Sequence, residues 1–210
     1  MYSLNMVIMA VVVACCVSGF FGSRALKISR EKHTPLNLAK SADDISSSAE
    51  VLRKLMYILP FERYISRNLI QIRRLAKKRA LIDEILLQKF SPDEMSYRKF
   101  CDVLDSVDHV IYLNLRSIIN KISAFDYDEY KQLSQFEYNR DELVQEKLDI
   151  YETYITYVWQ ATNDNEEILL KLDHLQLELT DLNSLKQEDI MNMPAIVELD
   201  KLIKATKYYR

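Results

Sequence analysis

The sequence predicts an all-α protein: an N-terminal transmembrane helix, then an antiparallel bundle of three to four long helices plus short helices. Three observations predict it. The 210-residue chain holds only two glycines, Gly19 and Gly22, both at the end of its first apolar run. Its four prolines, at positions 35, 60, 92 and 194, each fall at an apparent boundary between patterns. Between those boundaries apolar residues recur at intervals of three and four, the period of one helix face.

The missing glycine also narrows the chemistry. Phosphate-cradling loops, dinucleotide fingerprints and tight hairpins need positive φ or a close backbone approach, which glycine supplies. With none from Ser23 to Arg210, a P-loop and a Rossmann motif are excluded, and a β-sandwich is disfavoured.

The first element is Leu4 to Phe21, broken only by Asn5 and Ser18. As a helix it spans ~27 Å, close to the ~30 Å hydrocarbon core of a bilayer. Arg24, Lys27, Arg30 and Lys32 follow it, and no Lys or Arg precedes it. The positive-inside rule then places the N-terminus outside and the bundle in the cytoplasm, making a single-pass protein of the cell membrane. A cleaved secretory signal would carry a basic n-region, absent here. Val12-Val13-Ala14-Cys15 offers a second alternative, because it resembles a bacterial lipobox and would make an extracytoplasmic lipoprotein acylated at Cys15. The expected organisation is an anchor over 1–23, a basic juxtamembrane segment and tether over 24–48, and a helical bundle over 49–210.

In the bundle, Ala49 to Leu59 predicts a short helix ended by Pro60, which suits the first turn of the next. That helix runs from about Phe61 to Phe90, with Ile65, Leu69, Ile72 and Ala76 on one face and Arg63, Arg67, Arg74 and Lys78 opposite. Ser91-Pro92-Asp93-Glu94 has the form of an N-cap, a first-turn proline and a capping-box glutamate. The third helix follows to about Ser123, its stripe running Tyr97, Phe100, Leu104, Val107, Ile111, Leu115, Ile118, Ile122. Ala124 to Asn139 is a polar break with room for one short helix. Two heptad-like seams come next, Val144 to Val158 and Ile168 to Leu182. Between them Thr162-Asn163-Asp164-Asn165 skips the register, and two readings stand: a helix break, or a polar layer within the seam. Pro194 starts a last helix to about Lys207.

Charge is unevenly divided. Residues 24–90 carry 15 Lys/Arg and 7 Asp/Glu, a net of +8; residues 91–210 carry 13 and 24, a net of −11, giving the total of −3. Arg73, Arg74, Lys77, Lys78 and Arg79 are the densest basic run. Together with Arg24, Lys27, Arg30 and Lys32 it could meet anionic headgroups, or it could be balanced by acidic helices of the same bundle. Without interleaved aromatics or a reader motif, no nucleic-acid partner is expected.

Catalytic candidates are sparse. Asp102, Asp105 and His109 share one helix face at a spacing that can converge on a metal, but they lack the Glu-x-x-His repeats of di-metal bundles. His33 lies in the tether, and His174 stands beside Asp173 and Glu178. Cys101 adjoins the third helix's apolar stripe and reads as an inert thiol. Tyr151, Tyr154 and Tyr157, at helical spacing, suit core packing or a partner surface. Asp126, Asp128 and Glu129 form an acidic loop without the spacing or glycine of an EF-hand. No cofactor is expected.

The stretch Asn165-Glu166-Glu167-Ile168-Leu169-Leu170-Lys171-Leu172-Asp173 and the tail Lys204-Ala205-Thr206-Lys207-Tyr208-Tyr209 resemble single-pass helical proteins of low-GC Gram-positive bacteria. The layout of short anchor and bundle is similar to the XpaC-like family. That family is labelled for 5-bromo-4-chloroindolyl phosphate hydrolysis and linked with toxic-anion resistance proteins. The resemblance implies a membrane-associated bundle and brings no catalytic residue with it. The expected function is a membrane-anchored, cytoplasm-facing scaffold or interaction module. Its partners are the lipid bilayer and either another protein or a second copy bound through helical faces. The alternatives are a membrane-associated hydrolase or metal-dependent enzyme, and the lipoprotein.

Overall fold

A computed structural model describes residues 39–135, 141–181 and 192–207. The chain divides into two units after Thr34, and these residues belong to the second. The predicted anchor over 1–23 and the basic residues Arg24, Lys27, Arg30 and Lys32 lie outside the described residues. Among those described, no helix is long and apolar enough to cross a membrane.

The described residues form six helices and no strand: α1 (Ile45–Leu55), α2 (Glu62–Lys89), α3 (Met95–Ala124), α4 (Tyr127–Gln135), α5 (Glu142–Asp181) and α6 (Pro194–Lys207). The protein is an all-α bundle. Helix α1 begins four residues before the predicted start at Ala49, inside the stretch read as tether. The serines and aspartates there are capping groups: the Asp44 side chain accepts from the Ser47 amide at 2.6 Å, and the Ser47 hydroxyl accepts from the Asp44 amide at 2.9 Å. Such reciprocal bonds satisfy amides that a helix start leaves without partners.

The Ser91–Glu94 signal folds differently from its prediction. The Glu94 side chain does accept from the Ser91 amide, at 2.6 Å, but this closes a separate turn, and α3 starts only at Met95. Pro60 likewise precedes the α2 cap, Phe61, instead of entering the helix. Pro194 is the first residue of α6, as predicted.

Three long helices make the frame. Phe90 meets Phe100 at one end of the α2–α3 pair and Phe61 meets Phe125 at the other, so these helices are antiparallel. Helix α5 runs back along α3, with Tyr151 against Phe125 and Asn165 against Asn114. Helices α2 and α5 are therefore parallel: Arg67 contacts Asn163, and Lys78 contacts Asp173 further along both. Two of the three shorter helices, α1 and α6, lie in the grooves that α3 makes with its neighbours. Helix α1 packs on α2 and α3, while α6 packs on α3 and α5. The α3 stripe from Phe100 to Ile122 is buried throughout, and Leu52, Leu55, Leu172, Leu175 and Leu199 close the core around it.

Helix α2 departs from its predicted face. Its buried side is Tyr64, Ile65, Asn68, Gln71, Leu75, Ile82 and Leu86, whereas Leu69 and Ile72 are half-buried and Ala76 is exposed. The prediction counted apolar residues, but the true seam includes two amides.

Candidate functional site

Helix α5 is continuous from Glu142 to Asp181, which resolves the Thr162–Asn165 ambiguity in favour of a polar layer. Thr162 and Asn165 are 0% and 1% exposed, and they face Asn68 at 0%, Gln71 at 3% and Asn114 at 8%. A bare amide in an apolar core costs several kcal/mol, so such groups survive only when bonded. Here they are. Asn68 donates to the Thr162 hydroxyl at 2.8 Å and to the Tyr64 carbonyl at 2.9 Å. The Thr162 hydroxyl in turn donates to the Val158 carbonyl at 2.7 Å. Asn114 donates to Asn165 at 2.9 Å, and Asn165 donates to Asn68 at 3.2 Å. One chain of hydrogen bonds, from Asn114 through Asn165 and Asn68 to Thr162, thus ties α2, α3 and α5 at a single level. Gln71 extends it outward, donating to the Thr162 carbonyl at 3.0 Å and the Glu166 carboxylate at 2.9 Å. Its own carbonyl oxygen receives no hydrogen bond.

From that layer a ladder of charged contacts follows the seam between α2 and α5. Arg67 donates to Asn163, Arg74 pairs with Glu166, and Lys78 pairs with Asp173. Burial works against the Glu166 carboxylate, but the Gln71 and Arg74 donors and the Arg74 and Arg67 charges outweigh it and hold its pKa below the usual range. The Lys78 ammonium is pushed down, mainly by burial and then by Arg74.

A second hub joins α2 to α3. Arg79 reaches Asp83 at 3.2 Å, Asp105 at 2.8 Å and Asp108 at 3.1 Å. Burial raises the Asp108 pKa against the pull of Arg79, and the Asp105 and Asp83 charges add to the rise. This arrangement also takes in one residue of the predicted metal face. Asp105 is committed to Arg79, while Asp102 and His109 are exposed on the same helix. Among the described residues, no three His, Cys, Asp or Glu side chains converge to hold a metal ion.

The remaining candidates are spread along the bundle. Glu178 accepts from the Ala195 amide at 3.1 Å and so caps α6, while Asp173 belongs to the ladder and His174 is exposed. His33 is outside the described residues. Cys101 is half-buried beside Tyr97. Asp126 caps α4 through the Glu129 amide at 3.0 Å, and Glu129 binds Lys147 and the Tyr151 hydroxyl. Tyr151 lies within an aromatic cluster with Phe125 and Tyr130, whereas Tyr154 and Tyr157 flank the Lys121 ammonium at 5.3 Å each. Of the basic run, Arg74, Lys78 and Arg79 are tied to carboxylates; Arg73 and Lys77 point outward.

No protein-family model matches the chain, and no curated protein or solved structure shows significant similarity to it. Nothing in these comparisons bears on the XpaC-like layout.

Sequence reasoning missed Asn68, Gln71 and Asn114. The available signal was their placement: each interrupts an apolar stripe at a position whose helical phase is central, as Thr162 and Asn165 do on α5.

Proposed function

We propose that this protein is a membrane-anchored helical scaffold, a cytoplasm-facing module that works by presenting helical faces to a protein partner. The observation that carries the reading is where the two kinds of side chain are placed. The charged groups best suited to chemistry, Glu166, Asp173, Asp105 and Asp108, are engaged in holding helices together. Meanwhile Trp159 is 50% exposed, Leu177 61% and Ile70 48%, on helices whose cores are complete without them. Large apolar side chains left in water on rigid helices are what a binding surface requires. The anchor is supported by the Leu4–Phe21 run and the cations after it, and Arg73 and Lys77 could add headgroup contacts.

The test is fractionation with topology. Carbonate-washed membranes should retain the full chain. A membrane-impermeant thiol reagent should label Cys101 only after lysis and unfolding, since the thiol is half-buried. Release by carbonate, or cleavage of the bundle by protease added to whole cells, would end the reading. Intact mass distinguishes the lipoprotein alternative, in which acylated Cys15 would be the first residue.

A further inference from the structure

Of the three grooves between α2, α3 and α5, the described residues fill two: α1 covers the α2–α3 groove, and α6 covers the α3–α5 groove. The third, between the parallel helices α2 and α5, carries neither. Its floor is the ladder Arg67–Asn163, Arg74–Glu166 and Lys78–Asp173. At 100° per residue, Ile70 and Leu81 fall on the flank of α2 that turns toward α5. By the same count Trp159, Leu170 and Leu177 fall on the flank of α5 that turns toward α2. All five are exposed, at 48%, 41%, 50%, 48% and 61%.

The contacts across the seam separate partners by 91 to 96 residues. At the middle of that range, about 94, Trp159 lies level with Ile65, Leu170 with Ala76, and Leu177 with Asp83. The five side chains therefore alternate between the two helices over a face about 27 Å long.

Charges border this face by helix. On α2, Arg63, Arg67, Arg73 and Lys77 pair with no carboxylate among the described residues; on α5, neither Glu152 nor Glu167 pairs with a cation there. One edge is basic and the other acidic. We propose that this face binds a second copy of the chain, in a two-fold dimer whose axis runs along the bundle.

The charge pattern selects that axis. A two-fold parallel to the helices lays α2 of one copy on α5 of the other, so each basic edge meets an acidic one, with Arg73 level with Glu167 of the second copy. A two-fold across the helices would stack α2 on α2 and bring Arg63, Arg67 and Lys77 against their own kind. The chosen axis also leaves both N-terminal ends on the same side, as two anchors in one bilayer need. On that point the inference rests on the proposed anchoring.

Sedimentation equilibrium of the full chain in detergent tests it. The wild type should be dimeric at micromolar concentration. Leu170→Glu with Leu177→Glu should weaken the dimer at least tenfold without changing helicity, both sites being exposed. Arg73→Glu should weaken it too, and adding Glu167→Arg should restore it, because the swapped charges meet again across the two-fold. A monomeric wild type overturns the proposal, as does a dimer that survives the double glutamate variant or a charge swap that fails to rescue. Carbonate extraction separates the two claims: a monomer that stays in the membrane removes the dimer and leaves the anchored scaffold standing.

Discussion

The side-chain amide of Asn114 donates to the Asn165 carbonyl oxygen at 2.9 Å, inside the core between α3 and α5. Both residues sit where the surrounding seams are aliphatic. Their bond has a partner only when the two helices stand in one axial register, so a slip that leaves leucines content leaves amides unbonded.

Replacing Asn165 with Leu strands two groups at once, the Asn114 amide and the Asn68 carbonyl oxygen. The expected loss is about 3 kcal/mol in urea unfolding, from about 1–3 kcal/mol per buried orphan. Asn114→Leu combined with Asn165→Leu should cost less than the sum of the two singles by about 1 kcal/mol or more. Additive losses would show that the pair is not coupled.

Arg79 neutralises three carboxylates, two of them half-buried. Its replacement by Met removes the one contribution that opposes the rise in the Asp108 pKa. A carboxyl raised in the folded state gives stability that is present below its unfolded value and lost as pH rises through the folded value. The Arg79→Met variant should thus lose stability relative to wild type more at pH 7 than at pH 4, by about 1 kcal/mol. Urea midpoints at the two values measure this, and Asp108→Asn in the same background should flatten the difference.

The helices were legible because α3 keeps the three-four period over its length and α5 keeps it on either side of Thr162–Asn165, and the stripe from Phe100 to Ile122 is buried as its spacing implies. What could not be read was pairing between distant segments. Asn68 looks like a surface residue until Thr162 and Asn165 are opposite it. Arg74 and Lys78 look like a membrane-facing run until Glu166 and Asp173 take them up. The Asp44–Ser47 cap was misread for another reason: serine and aspartate mark both loops and helix starts, and composition alone does not separate them.

Glu166 should make the opposite pH signature from Asp108. Its pKa is lowered in the fold despite burial, by Gln71 and by the Arg74 and Arg67 charges. The stability it gives is present above its unfolded value and lost as pH falls through the folded one. Glu166→Gln should shallow the acid limb of the stability curve below about pH 4.5, where an unperturbed glutamate titrates. With side-chain exposures of 33% for Glu166 and 40% for Arg74, the loss near neutrality should stay under about 1 kcal/mol.

At the far end of the bundle, burial raises the Tyr151 pKa, and the bond to the Glu129 carboxylate raises it further. The neutral phenol is the form the fold prefers, so stability is present below pH 10 and falls as pH climbs through the raised value. Alkaline titration followed by ultraviolet difference absorption should therefore show one tyrosine ionising after the exposed ones, together with loss of helicity. Tyr151→Phe should delete that last step and keep the bundle folded to higher pH, while losing a little stability at pH 7 with the hydrogen bond. If Tyr151→Phe leaves the late step in place, the late ionisation belongs to a different phenol, and the aromatic cluster with Phe125 and Tyr130 does not control this end of the fold.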